Sequence, residues 1–196
     1  VGVNPSQWGP ASKFGGKQHD LRHPGEQVSF EDCQRELGRL GYILPTEAQW
    51  EYGCRAGTTT PWWSGLEKDG LGTVANLADA FAKANGASQW TDSETWDDRY
   101  TTHAPVGTFR ENGFGLHDVH GNVWEWCEDG YGGYGDRDPR PGDGLRLVPG
   151  ARFRVCRGGS FNATAIVTRS SYRSGYDPSS RDSILGVRPA RSITSP

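Results

Sequence analysis

The 28 glycines and 12 prolines of this chain interrupt its sequence so often that long helices and strands have little room to form. Eight tryptophans supply the large side chains that irregular backbone needs, because each buried indole removes about 200 Å² from water. A chain of 196 residues has the size of one ordinary domain. We therefore predict a loop-rich domain spanning residues 1–196, held together by buried aromatic anchors.

Two capping patterns predict two short helices. Ser29 is a good N-cap residue with Asp32 three positions later, and Gly41 ends the apolar stripe that follows. Thr46 and Gln49 repeat this arrangement at the start of a second helix, which we expect to end near residue 57.

The remainder of the chain predicts loops and short strands. Residues 58–105 contain no long periodic segment and predict an extended, ordered loop. Alternating side chains predict strands over Val123–Cys127 and Phe153–Arg157, and Val106–Phe109 is predicted to be a further short strand. Four cysteines, none in a C-x-x-C pair, are expected to be small buried residues.

Charge is distributed unevenly along the chain. Residues 151–196 carry eight arginines and two aspartates, although the formal net charge of the whole chain is −3. These arginines either staple loops through bidentate contacts or form a site for an anionic ligand. Nucleic acid is not an expected partner, because the chain is net negative and has no basic stripe interleaved with aromatic residues.

The sequence gives little information on cellular location. No apolar run approaches the ~18 residues of a membrane helix, and no signal peptide is visible. The chain begins with Val1 and contains no methionine, so we expect that an N-terminal part is missing. The location is therefore left open.

Six ordered motifs carry a resemblance to a known family. They are Leu44–Tyr52, Ala75–Asp79, Ala104–Gly107, Phe114–Trp126, Arg157–Phe161 and Gly186–Arg188. In this order they resemble the formylglycine-generating-enzyme/sulfatase-modifying-factor family. The resemblance implies an α+β domain of the C-type-lectin-like, formylglycine-generating-enzyme type, with little regular secondary structure and an N-terminal truncation.

The resemblance breaks where the family's oxidases carry their chemistry. In those oxidases two cysteines follow the Gly-Gly-Ser-aromatic motif, and their thiolates hold copper. Ala163 and Thr168 occupy these two positions here, and neither can be a thiolate ligand. We therefore expect that the chain is not an oxidase of this type.

The resemblance also implies two calcium sites built from oxygen ligands. The first set is Asp118, Gly121, Val123 and Glu125; the second is Asn76, Leu77, Asp98 and Tyr100. If present, the ion would be structural; alternatively, Asp118 and Glu125 only cap turns or pair with arginines. His117 and His120 form a conceivable zinc pair without a third ligand, so hydrogen-bonding roles are favoured.

Within the segment 157–188, which we predict to be a variable ligand-binding region, residues 161–186 alternate between residues that look fixed and residues that look free to vary. Each free residue can be reached from an asparagine codon by changing its adenines, and residues 158–196 contain no Lys, Glu, Gln, Met or Trp, which that route cannot produce. This resembles the variable region of retroelement-diversified proteins, some of which use the same fold. The predicted ligand-binding residues are Asn162, Thr164, Ile166, Val167, Thr168, Ser171, Ser174, Tyr176, Ser179, Asp182, Ser183 and Ile184.

These observations predict a non-catalytic binder of a protein or glycan ligand, with an acidic ligand mildly favoured by the arginines. A binder predicts that the ligand-binding set converges on an exposed face without a deep pocket. Two alternatives stay open: an accessory domain of the family, or an enzyme with another reaction. Ordinary members of the family carry a similar tail rich in Ser, Arg and Asp.

Overall fold

The computed structural model describes residues 4–10, 12–14 and 17–192 and contains only short regular elements. The helices are α1 (Phe30–Arg39), α2 (Glu47–Arg55) and α3 (Ala80–Ala84), with 3₁₀ turns at Lys68–Thr73 and Ala165–Thr168. The strands are β1 (Lys13–Phe14), β2 (Lys17–Gln18), β3 (Trp124–Gly130), β4 (Arg154–Arg157), β5 (Arg173–Tyr176) and β6 (Leu185–Gly186).

Both helices predicted from capping patterns are confirmed. The Ser29 side chain accepts a hydrogen bond from the backbone of Asp32, whose carboxylate accepts one from the Ser29 backbone in return. Thr46 and Gln49 form the same reciprocal pair at the start of α2. These boxes satisfy N–H groups that a helix start otherwise leaves unpaired.

A four-stranded sheet in the order β5-β4-β3-β6 forms the centre of the molecule. β4 pairs antiparallel with both β3 and β5, whereas β6 runs parallel to β3. The predicted strands near residues 123–127 and 153–157 correspond to β3 and β4. The sheet places β5 and β6, at the two ends of the segment 173–186, on opposite edges.

The strand predicted at Val106–Phe109 is wrong. The backbone N–H of Thr108 donates to the carbonyl of Pro105, and Gly107 has a φ of 81°, so the chain turns there. Residues 58–105 also contain α3, which Asp79 caps. A five-residue helix is too short to produce a recognisable period in the sequence.

Three groups of buried residues fill the interior. One lies between α1 and the sheet and includes Trp126; a second surrounds Trp62; a third contains Trp50 of α2. The prediction that tryptophans anchor the loops is confirmed at these three positions. All four cysteines are free and buried, as predicted. No helix within the described part of the chain is long and apolar enough to cross a membrane.

Candidate ligand-binding face

Arg157 fixes the first half of the segment 157–188 to the scaffold. Its side chain is 0% exposed and pairs with the carboxylates of Glu47 and Glu51 on α2. The same guanidinium donates to the carbonyls of Ser171 and Tyr172 over 3.1 and 2.8 Å. One buried arginine therefore sets the path of a loop that has almost no regular structure of its own.

Three further arginines secure the rest of this segment. Arg173 donates to both carboxylate oxygens of Glu47, over 2.8 and 2.6 Å. Arg181 contacts Asp32 at the start of α1, and Arg188 contacts Glu125 on β3. Between the two roles that the sequence left open for the arginines, the structure assigns these side chains to stapling.

Most of the predicted ligand-binding residues lie at the surface. Ile166 is 61% exposed, a high value for a large apolar side chain. The exposed members are Asn162, Ile166, Ser171, Ser179 and Asp182. The half-buried members are Thr164, Val167, Ser174, Tyr176, Ser183 and Ile184.

Thr168 is an exception, and its assignment to the ligand-binding set is wrong. Its side chain is 0% exposed, and its hydroxyl donates to the carbonyl of Ala165 over 2.9 Å. Its methyl group packs closely on Gly159: a Cβ atom added to Gly159 would lie 2.5 Å from the Cγ2 atom of Thr168. Thr168 therefore packs inside the protein and cannot contact a ligand at the surface.

The surface members form two groups on different supports, with Ser171 between them. The first group, residues 162–167, leads into the 3₁₀ turn Ala165–Thr168. This turn is held by Trp62, whose indole donates to the carbonyl of Ala165, and by Glu94, whose carboxylate accepts from the N–H of Ala165. The second group, residues 174–184, begins within β5 and runs beside α1, where the N–H of Phe30 donates to the carbonyl of Pro178.

None of these residues lines either of two cavities in the protein, of about 820 and 490 Å³. Their exposed side chains can meet a large ligand, whereas a small molecule would find little enclosure.

The second calcium set has donor chemistry that fits a hard cation. The side-chain oxygen of Asn76 is buried without a hydrogen-bond partner. Burial, together with the neighbouring charge of Asp79, raises the pKa of Asp98 to about 8. Asp98 accepts the backbone N–H groups of Leu77 and Tyr100, which shape a compact loop around these oxygens. A bound cation would offset the repulsion between the two carboxylates.

The first calcium set does not fit in the same way. Both oxygens of Glu125 accept hydrogen bonds from Arg188, and one also accepts from the indole of Trp50. The other carboxylate, Asp118, keeps one buried oxygen without a partner. Since Arg188 already neutralises Glu125, this set does not present two free carboxylates to an ion, in line with the arginine-pairing alternative.

The two histidines of the Trp-Glu-Trp segment have separate hydrogen-bonding roles. His117 contacts the carbonyl of Phe109 through Nδ1 over 2.7 Å. His120 is buried; its Nδ1 donates to the carbonyl of Thr168 and its Nε2 accepts from the backbone of Trp63. The described ranges contain no group of three or more His, Cys, Asp or Glu residues placed to hold a metal. Both histidines therefore take hydrogen-bonding roles in this structure.

Sequence reasoning missed the aromatic support of this face. A Cβ at Gly175 would lie 2.6 Å from the ring of Tyr131, so the glycine-rich loop after β3 packs directly on β5. Phe161 lies between Trp90 and His103, with ring centroids 6.2 and 4.8 Å away. Isolated glycines and histidines far apart in sequence gave no signal of these contacts.

Comparisons with known proteins agree on the family. The model of the sulfatase-modifying factor enzyme 1-like domain matches residues 3–193. The formylglycine-generating enzyme of Mus musculus is 32% identical over 183 residues, which cover 87% of this chain and 44% of that protein. The inactive C-alpha-formylglycine-generating enzyme 2 of Mus musculus is 31% identical over 192 residues, covering 95% and 55%. The chain thus spans about half the length of these relatives.

Solved structures show the same fold. PvdO from Pseudomonas aeruginosa has a TM-score of 0.74 and 28% identity, covering 91% of this chain and 65% of that one. Treponema denticola variable protein 1 has a TM-score of 0.71 and 20% identity, covering 95% and 77%. The expected α+β, C-type-lectin-like fold is confirmed. Since the family model spans nearly every residue, this chain belongs to the sulfatase-modifying factor enzyme 1-like (formylglycine-generating enzyme) domain family.

Proposed function

We propose that this chain is a non-catalytic ligand-binding domain that uses the surface of residues 157–188 to bind a protein or glycan. The observation that carries the proposal is the separation of roles within this segment. Arg157 and Arg173 are tied to carboxylates of α2, whereas Asn162 and Ile166 between them are exposed. The backbone held by the two arginines can thus stay the same while the exposed side chains differ from one variant of the protein to another.

The chemistry of the face suits recognition. Serine, tyrosine and asparagine provide adaptable hydrogen bonds and large contact area at low entropic cost. The exposed part of the predicted set contains Asn162, Ser171 and Ser179 together with the apolar Ile166. Such a mixture favours a macromolecular surface over a compact metabolite.

Several observations support a role without oxidation chemistry. Position 163 is alanine, and Thr168 is buried. Burial raises the pKa of the Cys33 and Cys54 thiols to about 12, so neither forms a thiolate at neutral pH. A related protein of Mus musculus is named an inactive formylglycine-generating enzyme.

We further propose that one calcium ion stabilises the loop containing Asn76, Leu77, Asp98 and Tyr100. The unpartnered oxygen of Asn76 and the two buried carboxylates support this assignment. The ion would serve structure, because its donors lie inside the protein: Asn76 is 1% exposed and Asp98 6%.

The decisive experiment compares the gene with its surrounding DNA. A near-copy of the stretch encoding residues 157–188 is expected downstream, differing from the gene almost only where the copy has adenine. The differences should fall on codons such as those of Asn162 and Ile166 and spare Arg157 and Arg173. Absence of a copy, or differences spread evenly over fixed and exposed positions, contradicts diversification.

An enzymatic role is the second candidate, because formylglycine-generating enzymes are 32% identical to this chain. It is tested by incubating the protein with copper, a reductant and a cysteine-containing peptide, and following peptide oxidation by mass spectrometry. We expect no product from the native chain. A native chain that oxidises the peptide would overturn the non-catalytic assignment.

A further inference from the structure

Three histidines that the proposed function does not use pack together beside the end of the proposed face. The rings of His19 and His23 have centroids 4.5 Å apart, and those of His19 and His103 are 6.3 Å apart. His19 is only 3% exposed and His103 only 1%. Burial of this kind makes an added positive charge on His19 or His103 costly.

His103 connects this cluster to the segment that carries Ser183. Its Nε2 lies 2.7 Å from the carbonyl oxygen of Ser183. Because a carbonyl only accepts, Nε2 carries the proton in the neutral ring and Nδ1 has none. That Nδ1 is buried without a partner, and the ring meets Phe161 edge-on. A second proton would therefore place an unpaired charge against an aromatic side chain.

His19 has the same limitation. Its Nε2 lies 3.0 Å from the hydroxyl of Thr102, and its Nδ1 is buried without a partner. Burial lowers the pKa of His19, and the neighbouring His23 lowers it further, which outweighs the opposing effects of the Ser12 backbone and the Asp20 charge. Burial also lowers the pKa of His103 to about 3. Both rings are therefore expected to be neutral in the folded protein at neutral pH.

The charged groups around the cluster offer little compensation for extra protons. Asp20 lies 3.2 Å from His23, but Arg22 already pairs with that carboxylate at 2.8 Å. Glu26 accepts a hydrogen bond from the backbone N–H of Trp8. Burial raises the pKa of this carboxyl group, which favours its neutral form. Asp182, the neighbour of Ser183 in sequence, is exposed to solvent.

We infer that His19 and His103, packed together beside His23, form an acid-sensitive latch that holds residues 182–186 of the proposed face in place at neutral pH and releases them on acidification. The part of this inference that concerns ligand release rests on the proposed function; the opening itself does not. An acidic compartment would thus free the bound ligand. Above pH 6.5 an opened imidazole gains no proton, so the latch would stay closed.

The expected effect has a definite size. Each imidazole that takes up its proton only when the latch opens multiplies the open population about tenfold per pH unit below pH 6.5. Hydrogen exchange with mass spectrometry measures this opening as a loss of protection, corrected for the intrinsic pH dependence of exchange. Between pH 7 and 5 the protection of residues 182–186 should fall at least tenfold more than that of α2.

Two substitutions test the cause. His103→Gln keeps a donor for the carbonyl of Ser183 but cannot titrate, and His19→Gln removes the neighbouring site. Each variant should make the protection of residues 182–186 less dependent on pH. If one of the two variants fails to fold, the other still tests the latch. His117→Gln, which changes a histidine outside the cluster, should leave the wild-type dependence intact.

Equal loss of protection in α2 and in residues 182–186 would overturn the latch, as would an unchanged pH dependence in both cluster variants. The measurement needs no ligand. If no near-copy of the coding stretch is found downstream, the latch is unaffected. Equal loss of protection in α2 and in residues 182–186 would reject the latch and would leave the proposed binding function unaffected.

Discussion

Arg188 donates two hydrogen bonds of 2.8 Å to the two carboxylate oxygens of Glu125; the side chain of Glu125 is 7% exposed and that of Arg188 26%. Removing one partner of such a pair leaves a charge without compensation inside the protein. We predict that Arg188→Met or Glu125→Gln alone lowers the free energy of unfolding by about 3–5 kcal/mol. The double variant should lose less than the sum, as measured by urea unfolding; additive losses would show that the two groups act independently.

Calcium should stabilise the protein through the loop of Asn76 and Asp98. Adding calcium after treatment with a chelator is expected to raise the melting temperature, because an ion that binds only the folded state shifts the unfolding equilibrium. Asp98→Asn should abolish this gain, whereas Glu125→Gln should keep it. An equal calcium response in wild type and Asp98→Asn would place the ion elsewhere.

Asp32 should make a pH-dependent contribution to stability. Burial opposes its ionisation, but hydrogen bonds from Arg35, Ser29 and Arg181 outweigh this effect and hold its pKa at about 2, below the ordinary 3.8. A lowered folded pKa means that the contribution is present above pH 4 and is lost as the pH falls toward 2.

The matched variant is Asp32→Asn, which removes the charge and weakens the cap of α1. We expect a loss of about 1 kcal/mol at pH 6 and a much smaller difference from wild type near pH 2.5, measured by urea unfolding at both values. A difference that stays constant over this range would assign the effect to packing instead of charge.

Introducing asparagine at two positions of the predicted variable set should have opposite consequences. Ile166→Asn changes an exposed side chain and should alter the free energy of unfolding by no more than about 0.5 kcal/mol. Thr168→Asn forces a larger polar group against Gly159 and should cost about 1–3 kcal/mol. Equal tolerance at both positions, by thermal or urea unfolding, would contradict the burial of Thr168.

The thiols of all four cysteines should be unreactive in the native protein. Because each cysteine is buried, a thiol-specific reagent at neutral pH should label none of them within minutes and all four after unfolding in denaturant. Fast labelling of a native cysteine would show that part of the interior opens readily, and mass spectrometry of the peptides would locate it.

Sequence reasoning predicted the elements whose signals are local. The reciprocal caps at Ser29 and Thr46 each involve residues three positions apart, so a single sequence contains the whole pattern. The turn at Gly107 was misjudged because two apolar side chains, at Val106 and Phe109, suggested a strand although glycine bends the backbone between them.

The candidate site was only partly accessible to prediction. The alternation placed Arg173, which is tied to Glu47, apart from Asn162 and Ile166, which are exposed; that these two residues contact a ligand stays a prediction. It failed at Thr168, since codon composition does not record burial. The contact of His103 with Ser183 joins residues 80 positions apart, and no local pattern encodes it.

The dependence of the segment 157–188 on one buried guanidinium also affects how the chain folds. Arg157 reaches Glu51 across 106 positions of sequence, so its loop can close only after the distant partner helix is in place. Contacts this far apart form late and slowly. A newly made chain would therefore keep this segment open for longer than its helices, and chaperones and proteases can act on it during that time.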